Sequence, residues 1–144
     1  MRVKRIEHIA IATRRLQEVK NVFENVLGLS LAYEEVFPKY NTQMAMYSVG
    51  ETFLEIIEGT SEAAEVEEWV RQHGEGLYHI CFEVDDIDES FAELKQKGLQ
   101  MLSEEPIPGH DNSRIFFVHP RSTAGLLIEF VQLSIAASGA AHGH

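Results

Sequence analysis

The sequence predicts an α+β fold built from two βαβββ modules joined by a helix, and three observations predict it. The opening stretch "RIEHIAIATRRLQEVKNVFENVLG" (5–28) is echoed by "GLYHICFEVDDIDESFAELKQKG" (76–98). In both, a His begins a short alternating run, an aliphatic residue follows eight positions later (Leu16, Ile87), and a helical stretch ends at Gly (Gly28, Gly98). The hydrophobic period also changes inside each stretch from two to about 3.6, the signature of a strand followed by a helix. Finally, each half closes on an apolar run that carries a Glu: Glu55 in "TFLEIIE" and Glu129 in "GLLIEFVQ". Self-similarity of this length marks a repeated structural unit.

The elements follow in order. Over 6–13, Ile6, His8, Ala10 and Ala12 fall on one face and Ile9 and Ile11 on the other, as in a strand. From Leu16, helical spacing sets Val19, Phe23, Val26 and Leu27 on one side, and Gly28 stops the helix. Strands are expected at about 29–36, 43–49 and 52–58. A connecting helix over about 60–73 is expected to be capped by Thr60 or Ser61 and to bury Val66, Trp69 and Val70. The second module repeats the plan, with "YHICFEV" as a strand. Its helix sets Ile87, Phe91 and Leu94 on one face, with acids in the first turn and lysines in the last. Strands at about 99–103, 114–118 and 125–132 complete it. The repeats thus occupy about 4–58 and 76–133 within one domain, 1–134, and the small, polar tail 135–144 is expected to be disordered. His142 and His144 in that tail are set aside.

A chain of 144 residues is long enough to bury a core without disulfides, and the single Cys81 fits a reducing compartment. No apolar run approaches the roughly 18 residues needed to span a bilayer, so a soluble cytoplasmic protein is expected. The net charge of −11 argues against nucleic acid as a partner, since neutralising phosphates needs a basic face. It leaves room for an anionic small molecule held by Arg14, Arg15, Lys39, Arg114 or Arg121.

Taken singly, a strand His is most often a hydrogen-bonded core residue. A strand Glu usually faces solvent, as Glu58 or Glu83 is expected to. His8, Glu55, His79 and Glu129 differ because a repeat places one His and one Glu at matching strand positions in each half. A carboxylate within an apolar strand is costly unless paired or bound to a cation. Two imidazoles and two carboxylates suit one divalent first-row metal ion, with positions left for substrate oxygens. Cobalt, manganese, nickel and zinc fit the set equally. Cys81 reads as a buried structural thiol and His119 as a loop residue between strands.

At these residues the chain resembles the vicinal oxygen chelate (glyoxalase/bleomycin-resistance) superfamily, and within it the methylmalonyl-CoA epimerases. The resemblance covers about 4–133 and rests on "EHIAIAT", "VLGL", "FLEIIE", "GEGLYHICFEVDDID" and above all "NSRIFFVHPRSTAGLLIEFVQ". It implies two βαβββ modules forming an incomplete β-barrel cup around a metal site, with His8, Glu55, His79 and Glu129 as ligands. It also implies a homodimer and an epimerase that interconverts (R)- and (S)-methylmalonyl-CoA by α-proton abstraction through a metal-stabilised enediolate. Glu129 is then the first choice for acid/base work, with Glu55 equally able on sequence alone. Tyr78 stands where epimerases commonly carry the first His of a pair, and alternation turns it away from the ligand face. Gln43 is the nearest match to the second carboxylate that some members place on the middle strand of the first module. The same metal set would serve a glyoxalase I-type lactoylglutathione lyase. A non-catalytic drug-binding cup of the bleomycin-resistance type needs no metal ligands.

Overall fold

Residues 1–134 are described by the computed structural model; the tail expected to lack order lies outside the described residues. They contain eight strands and three α-helices: β1 (Val3–Ala12), α1 (Leu16–Asn21), β2 (Ser30–Phe37), β3 (Thr42–Val49), β4 (Thr52–Gly59), α2 (Glu65–His73), β5 (Gly76–Val84), α3 (Ile87–Gln96), β6 (Ile107–Pro108), β7 (Arg114–Val118) and β8 (Ile128–Gln132). Among them no helix is long and apolar enough to cross a membrane. The described residues divide into two compact units, His8–Tyr78 and Met1–Glu7 with the described residues from His79 onward.

Each unit has the predicted module topology. In the unit His8–Tyr78, β1 and β4 pair in parallel while β2–β3 and β3–β4 are antiparallel. In the other unit, β5 and β8 pair in parallel while β6–β7 and β7–β8 are antiparallel. A parallel pair needs a crossover, and the helix after β1 and after β5 forms part of each. Leu16 with half-buried Val19 and Phe23 covers Ala45, Tyr47 and Ile56. Ile87, Phe91 and Leu94 cover Val84, Phe116, Val118 and Phe130. Each helix thereby occupies one face of its sheet and leaves the opposite face to His8 or His79.

Four boundaries depart from expectation. Helix α1 passes into a π-helical turn, Val22–Val26, closed by the Leu27 N–H donating to the Val22 carbonyl at 2.9 Å. The wider turn rotates later side chains off the 3.6-residue stripe, and Val26 and Leu27 are exposed rather than buried. Gly28, at φ 71°, stops the helix as expected. Helix α2 begins at Glu65 after Ala64, with no side-chain cap. Thr60 and Ser61 lie in the preceding turn, where the Ser61 hydroxyl accepts the Ala63 N–H at 3.2 Å. The strand expected at 99–103 is reduced to one bridge, Met101 to Val118. Two-residue β6 pairs with β7 instead, and its Pro108 has no N–H with which to extend a ladder. Strand β8 starts at Ile128, three residues late, because Ala124 and Gly125 adopt positive φ (56° and 95°) in the turn before it.

Candidate metal and proton-transfer site

In the unit His8–Tyr78, His8 stands opposite Phe53 and Ala10 opposite Glu55 in the parallel β1–β4 ladder. Residues opposite one another point the same way, so these side chains share a face. Strand β3 adds Met46 opposite Glu55 and Met44 opposite Ile57, and β2 adds Tyr33 opposite Met46 and Glu35 opposite Met44. Met44, Met46 and Phe53 form a buried apolar cluster there with Tyr33, Phe37 and Ile57 around it. His8 is 5 % exposed, and its Nε2 lies 3.8 Å from Glu55 Oε1.

The other unit builds the same pair. Strands β5 and β8 set Cys81 opposite Glu129 and Glu83 opposite Val131, so His79, Cys81, Glu83 and Glu129 share a face. His79 Nε2 lies 3.1 Å from Glu129 Oε1, and both side chains are buried. Phe117, opposite Glu129 on β7, meets the His79 ring edge-on at 5.4 Å between centroids. Cys81 is fully buried against Val131, Leu133 and Ile115.

Two atoms bound about 2.1 Å from one ion in a cis arrangement lie roughly 3 Å apart. The His79–Glu129 separation matches that spacing and the His8–Glu55 separation is slightly wider. Each unit therefore carries one facing imidazole–carboxylate pair, at ligand spacing in the second and slightly wider in the first, and the donor types fit a divalent ion.

Several expectations change. Glu58 and Glu83 are not solvent-face residues. The Glu58 carboxylate accepts the Leu16 N–H at 2.9 Å, capping α1 from a neighbouring strand. Glu83 is buried and bound by Arg5 Nε at 2.7 Å and Lys4 Nζ at 3.3 Å, cations supplied by the chain's own first strand. Along β1, Ile6 is 38 % exposed and Glu7 is fully buried. Gln43 pairs with Glu58 in the β3–β4 ladder, an odd number of residues from Met46, and so points away from the Glu55 face. It cannot supply the second proton carrier. Of the basic residues available for an anion, Arg14, Arg15 and Arg114 are committed to Glu67, Glu75 and Asp88, and Lys39 lies 5.5 Å over the Tyr40 ring. Arg121 is exposed beside His119, whose ring accepts the Arg121 N–H as a loop cap.

Sequence reasoning missed Ser113. It is 2 % exposed, and among the described residues its Oγ has no hydrogen-bond partner. Its extended backbone (φ −73°, ψ 166°) precedes Arg114, so alternation sets it on the side of Ile115 and Phe117. Its sequence signal was its place in "NSRIFFVHPRSTAGLLIEFVQ", a stretch that carries the resemblance.

A family profile described as Glyoxalase/Bleomycin resistance protein/Dioxygenase superfamily matches residues 7–117. The chain belongs to this superfamily. Among its superfamily relatives is an ethylmalonyl-CoA/methylmalonyl-CoA epimerase of Cereibacter sphaeroides, 27 % identical and matched over 91 % of this chain and 99 % of its own length. A variant of Streptomyces coelicolor methylmalonyl-CoA epimerase, solved with 2-nitronate-propionyl-CoA, is 31 % identical. It superposes with a TM-score of 0.84 over 93 % of this chain and 97 % of that one. Lactoylglutathione lyase of Neisseria meningitidis is a weaker relative within the superfamily, 27 % identical over 89 % of this chain and 90 % of its own length.

Proposed function

We propose that this superfamily member is a metal-dependent epimerase interconverting (R)- and (S)-methylmalonyl-CoA. The observation that carries the reading is the matched pair of His–Glu sets, one on β1 and β4, the other on β5 and β8, buried at His8, His79 and Glu129 and half-buried at Glu55. Relatives that bear the epimerase name over nearly their full length support it. His8, Glu55, His79 and Glu129 would together hold one divalent ion, within one domain made of the two modules. When bound, such an ion supplies Lewis-acid charge beside the thioester and carboxylate oxygens of the substrate.

This chain's own residues handle the proton. The C2–H beside a thioester is a weak acid, and epimerisation removes it from one face and returns one to the other. Glu129 is assigned the base and acid role on the metal side, with Glu55 as ligand. Phe117 packs edge-on against His79 and limits the rotation of that ring. A homodimer is the proposed assembly, and sedimentation of only a species near 16.3 kDa would remove it.

The test is proton NMR in deuterated water with each methylmalonyl-CoA epimer. Loss of the C2 signal with appearance of the other epimer is expected. A protein that leaves C2–H intact but turns over a glutathione hemithioacetal is a lactoylglutathione lyase. One that does neither and copurifies with no metal is a drug-binding cup.

A further inference from the structure

Epimerisation needs a proton carrier on each side of C2, and the reading above supplies only the metal-side one. Gln43 is turned the wrong way by its register. The middle strand β3 presents Met44 and Met46 on the Glu55 face, and neither side chain carries a transferable proton. The next strand does supply one. Glu35 on β2 stands opposite Met44, on the face that holds His8 and Glu55. It is half-buried between Tyr33 and Phe37 along that strand, and among the described residues its carboxylate makes no hydrogen bond or ion pair.

Its place relative to Glu55 follows from the ladders. Glu55 is opposite Met46, and Glu35 is opposite Met44 from the other side of β3. Two strand spacings and a two-residue offset separate their Cα atoms by roughly 12 Å. An acyl group lying over Met44 and Met46 would have Glu55, one of the residues that would hold the ion, on one side and Glu35 on the other. Both methionines are nearly fully buried in an apolar cluster with Phe53, so the strand between the two carboxylates offers no competing proton carrier on this face.

We propose that Glu35 is the second catalytic acid/base, the proton carrier on the side of C2 away from the metal; this rests on the epimerase reading. In one direction the metal-side carboxylate takes the C2 proton and the C–H electron pair passes into the enediolate. The Glu35 carboxyl, protonated at that moment, then delivers its proton to the opposite face of C2 as the electron pair returns to form the new C–H bond. The two carboxyls end with exchanged protonation states, and the reverse reaction runs the same transfers backwards. No oxidant, reductant or further reactant is needed.

The experiment uses Glu35→Gln and Glu35→Asp in the full chain, with metal content and thermal unfolding measured alongside. Each epimer is incubated separately in deuterated water. Wild-type protein should exchange C2–H of both epimers and interconvert them. In Glu35→Gln, interconversion should fall by a factor on the order of 10²–10⁴, the usual contribution of a positioned acid or base. The epimer whose C2–H faces the metal side should still exchange, with retention of configuration, while the other should not. Glu35→Asp, one methylene shorter, should recover part of the interconversion. Wild-type-like interconversion in Glu35→Gln overturns the proposal. Equal loss of exchange for both epimers, or loss of metal, also overturns it by making Glu35 a structural or ligand residue. A wild-type protein that exchanges neither epimer sinks the epimerase reading itself, a result distinct from any pattern confined to the variants.

Discussion

Glu129 and Glu55 occupy matching places in the two modules, yet they differ in setting. Glu129 is buried 3.1 Å from its histidine beside an aromatic wall, whereas Glu55 retains 14 % side-chain exposure and lies 3.8 Å from its own. Glutamine keeps an oxygen that can coordinate but lacks a basic carboxylate, so it separates the ligand and proton-carrying roles. Glu129→Gln should retain some metal and lose C2 exchange on the order of 10²–10⁴-fold. Glu55→Gln should weaken metal binding with a smaller kinetic loss. Near-normal exchange in the first variant with collapse in the second would reverse the assignment. The two facing pairs, His8 with Glu55 and His79 with Glu129, were legible in the sequence because a repeat marks positions twice. Glu35 and Ser113 were not, since neither has a counterpart in the other half, and which face a strand residue takes depends on register. Gln43 failed for that same reason.

Elements were legible wherever hydrophobic period and punctuation agreed. Helix α3 has its apolar stripe, its Gly98 stop, and an Asp86 cap that accepts the Glu89 N–H at 3.0 Å. They were misread where a distant group overrode the local signal. Helix α1 has no side-chain cap of its own, and the nearest polar residues, Arg14 and Arg15, supply no oxygen to its first turn. Glu58, on β4, accepts the first-turn Leu16 N–H instead. Removing that acceptor leaves a half-buried donor, so Glu58→Ala should cost about 0.5–2 kcal/mol, the usual range for losing a helix cap. Urea unfolding measures this, and an unchanged midpoint would mean that water replaces the carboxylate freely. Glu58 faces away from Glu55, so metal content should not change.

At the scale of the whole chain, the question is whether two like pairs hold two ions or one. Each compact unit owns a complete His–Glu pair, His8 with Glu55 and His79 with Glu129, and two protein ligands alone make a weak site for a first-row metal. Four ligands on one ion make a strong one, and the net charge of two carboxylates then cancels that of the ion. Elemental analysis of purified protein should accordingly give one divalent ion per chain. The variants decide between the arrangements. With a shared ion, His8→Ala and His79→Ala should each lose occupancy almost completely. Losing even an outer partner of a ligand typically costs 10–100-fold in affinity, and losing a ligand should cost at least as much. The double variant should then be little worse than either single one, the non-additivity expected of residues in one constellation. Thermal unfolding should show the same pattern, because an ion that binds only the folded chain stabilises it by about 2.7 kcal/mol at a hundred times its dissociation constant. Chelator should thus lower the wild-type midpoint and leave both single variants unmoved. Two ions per chain, with one surviving in each single variant, would show instead that the modules bind metal independently.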